Sequence, residues 1–105
     1  MIVAEFFQKN DMICGFKVYG HANYADSGND IVCASISSAV QLTANTISEI
    51  FRFNAEITEG DNVITLKSVD YCDSTFQGVL KGFRFHVKLL SQQFSKNVKI
   101  KITEV

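Results

Sequence analysis

At 105 residues the chain is long enough for one compact domain and too short for two. Hydrophobic residues make up 47% and charged residues 20%, which predicts a packed core and excludes a disordered chain. The net charge of −1 argues against direct nucleic-acid binding, which calls for a basic excess, and no apolar run approaches the roughly 20 residues that cross a bilayer, so no membrane partner is expected.

Residues 2–7 (IVAEFF) are rich in strand formers and predict a first strand. Gln8-Lys9-Asn10-Asp11 has turn composition. Residues 12–19 (MICGFKVY) predict a second strand, with Met12, Cys14, Phe16 and Val18 on one face by the two-residue period. The short link between them implies a hairpin. Gly20 to Asn29 is small, polar and glycine-bearing and reads as a loop. Asp30 is suited to cap a helix. From there Val32, Ile36, Ala39, Val40, Thr43, Ile47, Ile50 and Phe51 mark one stripe of a helix over about 31–52.

Residues 54–59 and 62–69 predict a second hairpin, turning at Glu59-Gly60-Asp61-Asn62. Phe76, Val79, Leu80, Phe83, Val87, Leu90 and Phe94 then recur in steps of three and four, predicting a helix over 74–94. Gly78 and Gly82 within it suggest close packing. Residues 98–103 alternate, with Val98, Ile100 and Ile102 inward and Lys99, Lys101 and Thr103 outward. The order β-β-α-β-β-α-β predicts a single α+β domain over 1–105, a two-layer sandwich with a largely antiparallel sheet and two helices. Ile31, Leu42 and Phe53 fall off the main stripe of the first helix. Such surplus apolar surface suggests a partner, most simply a second copy in a homodimer.

The chemistry concentrates in Gly20-His21-Ala22-Asn23-Tyr24-Ala25-Asp26-Ser27-Gly28-Asn29-Asp30-Ile31-Val32-Cys33-Ala34. A thiol in the first turn of a helix benefits from the positive end of the helix dipole, which favours thiolate. An imidazole on the preceding loop can take and return a proton near neutral pH. His21 and Cys33 are therefore candidates for a catalytic base and a nucleophile. The bland alternatives are a buried cysteine acting as a small hydrophobe and a loop histidine bonded to backbone. With Asp30 as cap, Cys33 is the third helical residue, and its backbone N–H is then a candidate oxyanion donor.

Asp30 reads first as a cap and second as a group orienting His21, with Asp26 as a rival orienter. A carboxylate at Asp30 also opposes a thiolate on Cys33. Gly20 and Gly28 supply unusual backbone angles in the loop. Ser35, Ser37 and Ser38 read as solvated helix positions, and His86 as a boundary residue of the second helix. Cys14 and Cys72 have no histidine nearby and read as structural. An odd number of cysteines without a C-x-x-C pair argues against a disulfide framework, a zinc knuckle and a dithiol redox site. Met1 to Gln8 lacks a basic segment and carries Glu5, so it does not read as a signal peptide, and a cytoplasmic location is expected.

The pattern Gly20-His21-Ala22, five residues, Gly28-Asn29-Asp30-Ile31-Val32-Cys33-Ala34, followed by a Ser/Ala-rich helix, resembles the ribosomal-processing cysteine protease Prp family. The resemblance extends over the full length, in size and in order of elements. It implies a bacterial cysteine endopeptidase that removes the N-terminal extension of the twenty-seventh protein of the large ribosomal subunit. It places His21 at the family's histidine, Cys33 at its nucleophile and Asp30 at the aspartate of the motif. It further implies a homodimer, no metal or organic cofactor, and an apolar cleft for a leader cut beside paired phenylalanines, with residues 22–29 as its cover. Two other classes compete. Reversible oxidation of Cys33 without peptide cleavage would mark a thiol redox sensor. Binding unaffected by loss of Cys33 would mark a non-catalytic dimeric ribosome-assembly factor.

Overall fold

The computed structural model describes residues 1–20 and 30–105; His21, Gly28 and the rest of the loop expected over the site lie outside them. In chain order the elements are β1 (Ile2–Lys9), β2 (Met12–Gly20), α1 (Ile31–Asn45) with a π-helical turn after it (Thr46–Ile50), β3 (Ala55–Gly60), β4 (Val63–Ser68), α2 (Ser74–Gln93) and β5 (Val98–Glu104). This is the expected order. Among the described residues the strands form one five-stranded sheet, β3-β4-β2-β1-β5. Neighbours are antiparallel except β1 and β5, which run parallel.

Both helices bury apolar stripes against one face of this sheet, giving two layers and one core. Phe6, Phe16 and Phe83 meet at its centre, with ring centroids 4.8–6.4 Å apart. Asn10 and Asp11 have φ of 52° and 63°, the left-handed pair that a two-residue hairpin requires and that Asn and Asp tolerate. The turn is therefore tighter than the expected Gln8–Asp11 stretch, and both strands run longer.

The face assigned to β2 needs correction. Phe7 pairs with Gly15 and Gln8 with Ile13, so Cys14 is the extra residue of a bulge. The bulge reverses the pleat: Ile13, Phe16 and Val18 are buried, whereas Met12 and Cys14 are not part of the core. The Cys14 thiol lies 3.4 Å from the Phe7 carbonyl oxygen. A side chain at Gly15 would collide with the Leu66 carbonyl oxygen, so glycine lets β4 close against the bulged strand.

The first helix also departs from its expected stripe. At its end the Phe51 N–H reaches back five residues to the Thr46 carbonyl at 3.0 Å. The wider turn rotates the following residues, and Ile50 and Phe51 face solvent. Arg52, at φ 55°, breaks the helix, and Phe53 turns back into the core edge-on to Phe76, with centroids 5.6 Å apart. Of the three surplus residues only Ile31 and Leu42 are exposed. The stretch Ile31–Ile50 is long and apolar enough to cross a bilayer by length and composition, contrary to the reading of the sequence. Its serines and threonines had masked a run nearly without charge, and its inner stripe, Val32, Ile36, Val40, Thr43 and Ala44, is spent on the core.

Two smaller expectations fail. Nothing lies within 4 Å of a Cβ built at Gly78 or Gly82, so neither permits close packing. Ile102 is exposed, whereas Val98 on the same face of β5 is buried.

Candidate active site

Asp30 leaves extended backbone (φ −81°, ψ 97°) immediately before α1. Its Oδ1 accepts from the Val32 N–H at 3.0 Å and the Cys33 N–H at 2.9 Å, while its carbonyl accepts the Ala34 N–H at 3.1 Å. The cap expected from the sequence is thus present, and Cys33 is the third helical residue. The expected role of the Cys33 amide is corrected: it donates to the Asp30 carboxylate, so it does not serve as an oxyanion donor in this arrangement. The cap has an electrostatic consequence as well. A helix terminus offers an anion about 0.3–1 kcal/mol, and Asp30 already takes up that positive end. The helix end alone therefore offers a thiolate at Cys33 little added stabilisation.

Cys33 is half-buried and lines a groove of about 720 Å³. One wall is the start of α1, with Cys33 and Ser37; the opposite wall is the end of β2 and the β3–β4 hairpin, with Val18, Gly60 and Val63. Long-range contacts hold the second wall. The Gly20 N–H donates to the Asn62 carbonyl at 3.1 Å, tying the end of β2 to the hairpin turn, where Asn62 sits at φ 57°. Gly20 has φ 97°, and a side chain there would strike the Met1 carbonyl oxygen. Glycine is required at this position on both counts, and the chain leaves β2 beside the groove at the residue preceding His21.

The other candidates separate from this groove. Cys72 is exposed in the turn before α2, and Cys14 sits in the bulge. No cysteine is in a disulfide. His86 is exposed and borders a second groove, between α1 and α2, with Ser35 and Ser38. The hairpin residues Glu59, Gly60 and Asn62 line the groove beside Cys33 and were not singled out from the sequence. Their turn composition was visible, but not the strand order that brings β4 beside β2.

Asp30→Ala should cost about 1 kcal/mol of stability, the usual worth of an N-cap, whereas Asp30→Asn should retain most of it because the amide oxygen can still accept. Urea midpoints of the three proteins check this. Equal stability of Asp30→Ala and wild type would contradict the cap. Full turnover by Asp30→Asn would restrict the residue to capping.

The model of the family described as cysteine protease Prp matches residues 1–99. The chain is 25% identical over 83 residues to the ribosomal processing cysteine protease Prp of Staphylococcus aureus, covering 77% of this chain and 78% of that one. Its fold is similar to that of the S. aureus ribosomal processing protease Prp, solved with a covalently linked product peptide. The TM-score is 0.93 at 21% identity, with 98% of this chain and 100% of the other covered. It is also similar to SMU.848 from Streptococcus mutans, with a TM-score of 0.79 at 22% identity, covering 100% of this chain and 96% of that one. With a thiol at the head of α1 on the wall of a groove, and with the family's pattern matched over nearly its whole length, this chain belongs to the cysteine protease Prp family.

Proposed function

We propose that this protein is a cysteine endopeptidase that removes the N-terminal extension of a ribosomal protein, the twenty-seventh of the large subunit, with His21 and Cys33 as the catalytic pair. The observation that carries the reading is the place of Cys33. It is the cysteine that lines a groove, and it faces the end of β2, where the chain continues directly from Gly20 into His21. A related S. aureus protease is named for ribosomal processing, and its structures hold a substrate peptide or a covalently linked product peptide. These names favour peptide cleavage over the redox-sensor and assembly-factor readings.

In this mechanism His21 takes the proton from the Cys33 Sγ. The thiolate attacks the scissile carbonyl carbon and forms a tetrahedral intermediate. Its collapse breaks the C–N bond, His21 returns the proton to the leaving amine, and a thioester to Cys33 remains. Water, deprotonated by His21, then hydrolyses the thioester and restores the thiol. No metal or organic cofactor enters any step. The groove walls, with Ile2, Val18, Val40 and Val63, suit apolar side chains such as paired phenylalanines. The test is incubation of the extended ribosomal protein with wild type and with Cys33→Ala, the products being read by mass spectrometry.

The active form is a homodimer in this reading. Ile31, Leu42 and Ile50 are exposed along one helical stretch, and covering them with a second copy would remove apolar surface from water. Each subunit holds its own His21 and Cys33. Sedimentation at micromolar concentration should give twice the 11.7 kDa chain mass, and a monomer there would overturn the dimer.

A further inference from the structure

The net charge of −1 conceals a segregation. The sheet face turned away from both helices carries Lys17 of β2, Lys67 of β4, and Lys99 and Lys101 of β5. The register sets them in neighbouring rows: Lys101 beside Glu5 beside Lys17, Lys99 beside Val3 beside Tyr19, and Phe7 beside Gly15 beside Lys67. Among the described residues of these strand ladders, only Glu5 and Glu56 bring negative charge to this face. Glu5 lies low, with its side chain 13% exposed, accepting from the Thr103 hydroxyl at 2.6 Å and lying 3.9 Å from the Lys101 ammonium. Two half-buried rings are set among the lysines. The Lys17 Nζ lies over the Tyr19 ring, 5.2 Å from its centroid, and the Lys67 Nζ over the Phe7 ring at 5.0 Å, so a base that stacks on either ring displaces its ammonium toward a phosphate.

Lysines on β5 could serve only to blunt an edge strand. That account does not extend to Lys17 and Lys67, which stand on the interior strands β2 and β4. A basic surface with interleaved aromatic rings matches a single strand of nucleic acid, its phosphates on the ammonium groups and its bases on the rings. An anionic lipid surface would use the lysines but has no flat bases to stack on the rings.

We propose that the uncovered face of the sheet binds single-stranded RNA through Lys17, Lys67, Lys99 and Lys101, with Phe7 and Tyr19 as stacking platforms. The binding stands on the sheet alone; the choice of RNA over DNA rests on the ribosomal reading of the groove. Tyr19 also lines the groove that holds Cys33. Such binding runs against the expectation, drawn from net charge, of no direct nucleic-acid contact.

The experiment is fluorescence anisotropy of a labelled twenty-nucleotide oligouridine with the full chain carrying Cys33→Ala, across a salt series from about 50 to about 200 mM, where phosphate contacts register as a salt slope. Four phosphate contacts predict a slope of log K against log salt of about −3. Lys67→Glu with Lys99→Glu should weaken binding by at least about tenfold and flatten the slope. Lys81→Glu with Lys88→Glu, on α2, should stay within about twofold of the parent, and urea midpoints verify that both variants fold. The proposal is overturned by no binding at the lowest salt or by equal loss in the two double variants. It is also overturned by phosphatidylserine vesicles being bound where oligouridine is not, or by tighter binding of oligothymidine than of oligouridine. Peptide cleavage is scored separately in wild type. Cleavage without RNA binding refutes this inference alone, and RNA binding without cleavage refutes the protease reading alone.

Discussion

Cys33→Ala should reduce cleavage of the extended ribosomal protein by at least about 10³-fold while leaving the fold and its stability nearly unchanged. In the proposed mechanism the thiolate forms the bond that divides one hard step into two, so without it only binding and positioning remain. The small structural cost follows from local geometry. The cap bond at this position is made by the backbone N–H of Cys33 to Asp30, and that bond does not depend on the side chain. Cys33 is half-buried, so deletion of one sulfur opens no enclosed cavity. Alanine also has the higher helix propensity, by roughly 0.5 kcal/mol, which offsets part of the lost contact. Mass spectrometry of the products and a urea titration of the same preparation separate the two effects. Undiminished cleavage by a folded Cys33→Ala protein would remove Cys33 as nucleophile.

The largest stability effect is expected far from the groove, at Gln77. This side chain is buried on α2, and its carboxamide is fully used. Its Oε1 accepts from the Ile13 N–H at 3.0 Å, and its Nε2 donates to the carbonyls of Ile13 at 2.7 Å and Tyr71 at 2.6 Å. The reason lies in the sheet. β4 pairs with β2 only from Gly15 onward, so Ile13, one residue before the bulge, has no β4 partner for its peptide groups. Gln77 supplies those bonds in place of a strand. Gln77→Leu keeps the volume and leaves up to three buried backbone groups unpaired, at about 1–3 kcal/mol each before relaxation and added apolar burial. A net loss of about 2–4 kcal/mol is expected, a large share of the 5–15 kcal/mol typical of a domain. A thermal melt should fall by on the order of 10–20 °C. A loss below about 1 kcal/mol would show that water or another group takes over the Ile13 bonds.

Gln77 also shows why part of this molecule was not legible in its sequence. It stood between Phe76 and the glycine of an amphipathic helix and read as an ordinary polar position. Its partner lies 64 residues away, at a bulge that no two-residue period reveals. The same bulge at Cys14 reversed the faces of Met12, Ile13 and Cys14, and a single wide turn at Thr46–Ile50 turned Ile50 and Phe51 outward. Each is one residue inserted into a regular repeat, and the periodicity argument assumes that no such residue exists.

What the sequence determined by itself is local: the order of the elements, a turn within Gln8–Asp11, the cap at Asp30, the place of Cys33 in the first turn, and the motif that marks the family. These depend on backbone preferences and side-chain spacing within a few residues, and the chain carries them wherever it is placed. Only the tertiary structure decided that β1 and β5 run parallel, that the β3–β4 hairpin forms a wall of the groove, that the Cys33 amide is occupied, and that four lysines of a net-negative chain share one bare face. Those outcomes come from strand order and register, set by the burial of the whole core at once, and no window of the sequence contains that condition.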